Sequence, residues 1–141
     1  MVMKKRILFL CTGNSCRSQM AEAWLRHLKG NKYEVFSAGI EKHGMNPYAV
    51  RVMSEVGIDM SNHYSKLLSE LNAIEFDLVI TVCGHASESC PIFSGKAKVI
   101  HAPFDDPPAL AKDITDEEER LKCYRRVRDQ ISSFIQTTNL I

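Results

Sequence analysis

The sequence predicts an α/β fold, a four-stranded parallel sheet flanked by helices on both faces. Three observations predict it. Four short runs of strand-forming residues, 7–10, 33–37, 77–82 and 98–101, are separated by polar turns. Segments of helical period stand between or after them. The first run is apolar throughout rather than alternating, as a strand buried on both faces must be. Strands alternating with helices give a parallel sheet, and such sheets bind ligands at the carboxyl ends of their strands.

The elements follow in order. Ile7 to Leu10 is the first strand and ends at Thr12-Gly13. From Ser15 the period changes: Met20, Ala21, Trp24, Leu25 and Leu28 lie on one helical face, stopped by Gly30-Asn31. Tyr33 to Ser37 is the second strand, closed by Ala38-Gly39. Asn46-Pro47, a cap and a first-turn proline, opens a helix with Ala49, Val50, Met53 and Val56 on its apolar face and Gly57 at its end. Leu67 to Ala73 is a weaker helical piece. Asp77 to Val82 is the third strand and Lys98 to His101 the fourth. A proline-rich loop spans Pro103 to Asp113, and Thr115 with Glu118 forms a capping box for a last helix carrying Leu121, Tyr124, Val127, Ile131, Phe134 and Ile135. With no repeat or linker tract, residues 1–141 read as one domain.

Bulk numbers exclude several classes of function. Eighteen basic and 17 acidic residues leave a net charge of +1, too little for a nucleic-acid binder. Five cysteines, an odd count in a chain long enough for a real core, indicate reduced thiols and a cytoplasmic location. The basic start before Cys11 imitates a lipoprotein signal, but its apolar run is only Ile7 to Leu10, against roughly 7–15 residues in a signal core. No stretch approaches the ~20 apolar residues of a membrane span, so no membrane partner is expected. A monomer is the expected state.

Cys11 stands where the first strand ends, and Arg17-Ser18 where the first helix begins. Thr12, Gly13, Asn14, Ser15 and Cys16 must therefore turn between them with their N–H groups aimed at one centre, an anion-binding arrangement. Gly13 allows close backbone approach or positive φ, and Asn14 tolerates left-handed geometry. Arg17 adds a planar fork for two oxygens. The same field favours a thiolate, which predicts that Cys11 is largely ionised and nucleophilic, with Ser18 donating to its sulfur. Zinc is the competing use of Cys11 and Cys16, with Cys83, Cys90, His85 and His101 available, but the spacing matches no finger or ribbon, so no metal is expected. After the fourth strand, "FDDPP" at 104–108 supplies an acid for a departing oxygen: Asp106, fixed by Pro107, with Asp105 in reserve.

"CTGNSCRS" together with a late "DDP" resembles the low-molecular-weight protein tyrosine phosphatase family, and the chain as a whole is similar to its thioredoxin-coupled arsenate reductase branch. "SQMAE", "SAGIEKHGMNPYA", "GIDMSNHYS", "DLVITVC", the "CP" at 90–91 and "FDDP" carry that resemblance over nearly the whole length. It implies reduction of arsenate to arsenite, in arsenic detoxification, with no bound cofactor and with thioredoxin as external reductant. Cys11 would be the attacking thiol, Arg17 and the loop amides the oxyanion holders, and Asp106 the acid. Cys83 would then attack the Cys11–arsenic adduct, and Cys90 would carry the disulfide outward. The alternatives are a phosphotyrosine or small-phosphoester phosphatase and a non-catalytic oxyanion sensor. Against a phosphatase, Pro108, Ala109 and Leu110 stand where its relatives have tyrosines that wall a phenyl ring.

Were 83–90 helical, the two Cα atoms would lie roughly 10 Å apart, beyond the ~7 Å limit of a disulfide. Oxidation is therefore expected to unwind the segment and raise amide exchange across 84–90. Some relatives hold potassium through residues matching Asn14 and Glu22 and two more, which here are Tyr64 and Lys66; the Lys66 ammonium is expected to partner Glu22 instead. His63 matches a residue near the loop. Cys16, Cys123, His27 and His43 read as packing or surface residues, and "RRVR" at 125–128 as a solvated helix face.

Overall fold

The computed structural model describes residues 3–83, 93 and 95–141. Its strands are β1 (Lys5–Cys11), β2 (Tyr33–Gly39), β3 (Leu78–Thr81) and β4 (Lys98–His101). Its α-helices are α1 (Arg17–Lys29), α2 (Pro47–Glu55), α3 (Pro107–Leu110) and α4 (Glu117–Thr137). The strands run in the order β2-β1-β3-β4, all parallel. Being central, β1 buries both of its faces, which explains its unbroken apolar run: Ile7, Leu8 and Leu10 are wholly inaccessible.

Alternate β1 residues serve two cores. Ile7, Phe9 and Cys11 pack with Met20, Trp24 and Leu25 of α1 and with Leu121, Tyr124, Val127 and Ile131 of α4. Leu8 and Leu10 face the other way, toward Val79 and Phe76, beneath Leu68, Leu71 and Phe93. On that second face the helical layer among the described residues is one 3-10 turn, Leu68–Leu71, shorter than the helical piece expected over 67–73.

Two boundaries differ from expectation. The cap of α4 is Asp116, whose carboxylate accepts from Glu119 N at 3.0 Å, rather than Thr115. The same three-residue spacing recurs one position later with a charged acceptor, which suits a helix N-terminus better. The loop over 103–113 contains α3, with Asp106 as its N-cap residue and Pro107 and Pro108 in its first turn, where a missing N–H costs nothing. Elsewhere the local signals act as read. Asn46 Oδ1 accepts from Tyr48 N and Ala49 N, and Gly57 leaves α2 at φ +82°.

The strand order positions the site. The chain leaves β1 through α1 to β2 on one side, then crosses back to β3 on the other, so the end of β1 is the topological switch point. The segment after β2 borders Cys11 from one side, and the segment after β4 from the other.

Candidate active site

The loop from Cys11 to Arg17 owes its shape to where its carbonyls go. Thr12 O accepts from both Ile40 N and Glu41 N at 2.9 Å, Gly13 O from His43 N at 3.1 Å, and Ser15 O from Asn46 N at 3.0 Å. Asn14 O accepts from Ser65 Oγ at 2.8 Å and Gln19 Nε2 at 3.2 Å, and Cys16 O from Met20 N at 2.9 Å. In a trans peptide the carbonyl and the next N–H point opposite ways. Each carbonyl held outward therefore turns the N–H of Gly13, Asn14, Ser15, Cys16 or Arg17 toward the loop's inside. Cys16 makes no side-chain cap on α1, whose first turn carries no acid, so the helix N-terminus also opens on this centre.

Asn14 takes the left-handed turn at φ 49°. Gly13 has no positive φ; it is glycine because His43 lies against it, where a Cβ would stand 2.1 Å from Nδ1. The Asn14 side chain is fully buried and uses all its hydrogen-bonding groups. Its Nδ2 donates to Ser18 Oγ at 2.9 Å and Ser37 Oγ at 3.0 Å, while Oδ1 accepts from Lys66 N at 2.8 Å and Gln19 Nε2 at 2.9 Å. Ser37 passes its own hydrogen to Glu22 Oε1 at 2.5 Å.

Cys11 Sγ lies 2.8 Å from Ser18 Oγ. Ser18 Oγ also accepts from Asn14 Nδ2, which fixes it beside the sulfur; its own hydrogen can go to a Cys11 thiolate, or the oxygen can accept from the thiol. Burial, the largest influence, pushes the Cys11 thiol above its ordinary value; the Ser18 hydroxyl, the N–H groups of Asn14 and Ser18, and the Arg17 charge all pull the other way. The expectation of a largely ionised Cys11 counted the donors and the cation but not the burial of this strand-end residue, which works against them. Burial likewise holds Cys16 well above the usual thiol range, and that side chain packs in the core.

Arg17 is almost wholly buried. Its Nη1 donates to Phe104 O at 2.9 Å and lies 3.4 Å from Val82 O, and its Nε is 3.6 Å from Asp106 Oδ1. Those carbonyls steer the fork toward the loop. Asp106 faces the same space, whereas Asp105 turns to Arg126 Nη2 of α4 at 3.3 Å. Together Cys11, Thr12, Gly13, Asn14, Ser15, Cys16, Arg17 and Asp106 line one cleft of about 600 Å³, joined by Ile40, Glu41, His43 and Pro108. Reading the sequence missed the last group except Pro108; the available signal was a Glu-x-His placed directly after a strand that ends beside Cys11. Buried Ser37 and Gln19 were also missed, since nothing local marks them.

Cys83 is buried in the same core cluster as Cys11. Leu10 pairs with Thr81, so Val82 is opposite Cys11 and Cys83 one residue beyond. Cys90, with the predicted unwinding over 84–90, lies outside the described residues, as does His85. Cys123 on α4 leans on Glu119 O at 3.7 Å, away from the cleft residues. Among the described residues, no three metal-ligating side chains gather and no helix is long and apolar enough to cross a membrane.

Behind the loop, Lys66 Nζ lies 3.9 Å from Glu22 Oε1, donates to Tyr64 O at 2.8 Å and sits 4.5 Å above the Tyr64 ring. His63 Nδ1 is 2.8 Å from Gln19 Oε1 and 4.0 Å from Glu22 Oε2. Burial lowers both His63 and Lys66 from their ordinary values, with Glu22 opposing.

The family described as low molecular weight phosphotyrosine protein phosphatase matches residues 6–137. An arsenate reductase of Halalkalibacterium halodurans is 48% identical over 134 residues, which cover 95% of this chain and 94% of that protein. Among solved structures, an arsenate reductase in a phosphate-binding state superposes with a TM-score of 0.77 at 32% identity, covering 94% of each chain. A thioredoxin-dependent arsenate reductase of Corynebacterium glutamicum aligns with a TM-score of 0.64 at 25% identity, over 96% of this chain and 64% of that one. A turn of inward amides around a strand-end cysteine, an arginine and an aspartate, matched over this much of the sequence, makes the chain a member of the low molecular weight phosphotyrosine protein phosphatase family.

Proposed function

We propose that this protein reduces arsenate to arsenite. The observation that carries the proposal is a second buried thiol, Cys83, two residues past β3 and one past the position opposite Cys11, beside a loop otherwise sufficient for phosphoryl chemistry. A phosphatase needs one thiol, because water completes its cycle. A reductase must supply two electrons, which two thiols give by forming a disulfide. The naming of the relatives as arsenate reductases supports the same reading, and Pro108 in the cleft leaves a phosphotyrosine ring without an aromatic wall.

The proposed steps are these. Bound arsenate, as HAsO4(2−), sits among the inward amides with its oxygens on the Arg17 fork. It brings a base to the buried Cys11 thiol, so the proton moves to an oxygen as sulfur attacks arsenic. Asp106 protonates the departing oxygen, giving water and the adduct Cys11–S–AsO3H(−). Cys83 then attacks the Cys11 sulfur, the S–As bond breaks with its electron pair left on arsenic, and arsenite departs. Cys90, assigned from the sequence alone, attacks Cys83 and frees Cys11 for the next cycle. Thioredoxin is the proposed reductant, in keeping with the dependence of the C. glutamicum relative, and the cytoplasm the proposed location.

Turnover of arsenate with thioredoxin and its reductase tests the relay. Cys83→Ser and Cys90→Ser should each make at most one arsenite per active site. Multiple turnover by either variant at the parent's rate would refute it.

A further inference from the structure

Counting atoms leaves one proton without a donor. From HAsO4(2−), two thiols and two further protons, the products are As(OH)3, water and a disulfide; arsenic gains the two electrons that the sulfurs lose. The first step, HAsO4(2−) + Cys11–SH + H(+), gives Cys11–S–AsO3H(−) and water. The second, that adduct + Cys83–SH + H(+), gives the disulfide and As(OH)3. Each step consumes one proton beyond those of the thiols. A phosphatase hands its acid's proton back when water attacks, whereas here two protons travel the same way. Asp106, spent in the first step, is then a carboxylate 3.6 Å from Arg17.

Resting on the reductase reading, we infer that His43, oriented by Glu41, is the donor of the second proton, to the arsenic-bound oxygen as the S–As bond breaks. Its backbone N–H is tied to Gly13 O at 3.1 Å, and its ring occupies the space a side chain at residue 13 would need. The Nε2 atom lies 2.6 Å from Glu41 Oε2. A carboxylate only accepts, so Nε2–H donates there and Nδ1 is the nitrogen turned to the anion loop. In the imidazolium both nitrogens carry hydrogen; Glu41 holds one, and the other faces the loop. The arrangement has the logic of a carboxylate that fixes an imidazole while its second nitrogen serves the reacting centre. Both side chains line the cleft with Cys11, Arg17 and Asp106. The segment after β2 carries them to the side of Cys11 away from β4 and Asp106. About half of the His43 side chain meets solvent, so water can restore the proton between cycles.

The test is a single turnover, with reduced enzyme in excess over arsenate and no thioredoxin, following arsenite release in the parent, His43→Ala and His43→Gln. Both variants should slow release about 100-fold, the lower end of what a general acid contributes. Inorganic phosphate should bind them within threefold of the parent, and added imidazole should restore at least tenfold in His43→Ala but nothing in His43→Gln. Release by His43→Ala within threefold of the parent would overturn the assignment. So would a slow variant that also loses phosphate and ignores imidazole, since the ring would then only prop the loop. A parent that releases no arsenite would remove the reductase reading itself, an outcome distinct from an active parent with an equally active variant.

Discussion

Asn14→Ala removes a fully buried side chain that joins the anion loop to Ser37 of β2, and its cost can be worked out. Four hydrogen bonds go: two donated to Ser18 and Ser37, and two accepted from Lys66 N and Gln19 Nε2. Gln19 Nε2 keeps Asn14 O and Tyr64 O as acceptors, so its loss is small. The buried Lys66 N–H keeps nothing, at roughly 1–3 kcal/mol. Alanine at φ 49° adds roughly 1–2 kcal/mol of backbone strain. The sum, about 2–5 kcal/mol, is a large part of the ~5–15 kcal/mol that holds a domain folded. In urea the midpoint should fall by on the order of 1–2 M with the slope unchanged. Asn14→Gly, relieved of strain but looser when unfolded, should recover about 1 kcal/mol of it. Asn14 Nδ2 also fixes Ser18 Oγ beside Cys11 Sγ; without it that 2.8 Å contact loosens, a Cys11 thiolate loses a held donor, and alkylation at pH 7 should slow. An alanine variant within 1 kcal/mol of the parent, alkylated as fast, would refute the account of Asn14 as the loop's anchor.

Three further outcomes are expected. In Gly39→Ala the new Cβ would meet Thr12 O at 2.5 Å and Asn14 N at 3.0 Å, both backbone, so stability should drop by ~1–3 kcal/mol and phosphate affinity with it; a change in neither would contradict the close approach. Arsenate turnover in potassium should match that in sodium, because the Lys66 ammonium occupies the neighbourhood of Glu22; potassium activation would count against that role. Hydrogen bonds from Arg125 and Arg128 hold Glu55 below the usual carboxylate range, so its contribution is present above the unfolded value of ~4.3 and fades as pH falls through the lower folded value. Glu55→Gln should thus cost at most ~1 kcal/mol at pH 7, given its partial exposure, with the difference from the parent vanishing in acid. A difference that persists at pH 2 would exclude the ion pair as its source.

The fold was legible because its signals are local. Branched, apolar runs mark the four strands, and Asn46-Pro47 and Gly57 mark the two ends of α2 by stereochemistry alone. The shape of the "CTGNSCRS" loop was legible for the same reason: a strand end, a left-handed asparagine and a helix start lie within eight residues. What escaped was decided at long range. Burial of Cys11 comes from α1 and α4 packing over β1, and no stretch of eight residues reports it. His43 shares a wall with residues thirty positions earlier, and Asp105 parts from Asp106 because Arg126 sits on α4.

The loop motif is therefore not self-sufficient, which bears on how such a site can change its chemistry. Four of the N–H groups that hold its carbonyls outward belong to Ile40, Glu41, His43 and Asn46, and a fifth donor is Ser65 Oγ. Without them the peptide planes between residues 12 and 16 would lose the partners that orient them, and their carbonyls would turn to seek others. The inward amides thus depend on the strap after β2 as much as on Gly13 and Asn14. That strap uses backbone N–H groups for the holding, so its side chains at 41 and 43 are unconstrained by that task. Whatever they contribute to proton transfer can vary while the anion cradle stays intact, as can the residue at position 83, which follows β3 on the opposite flank of β1.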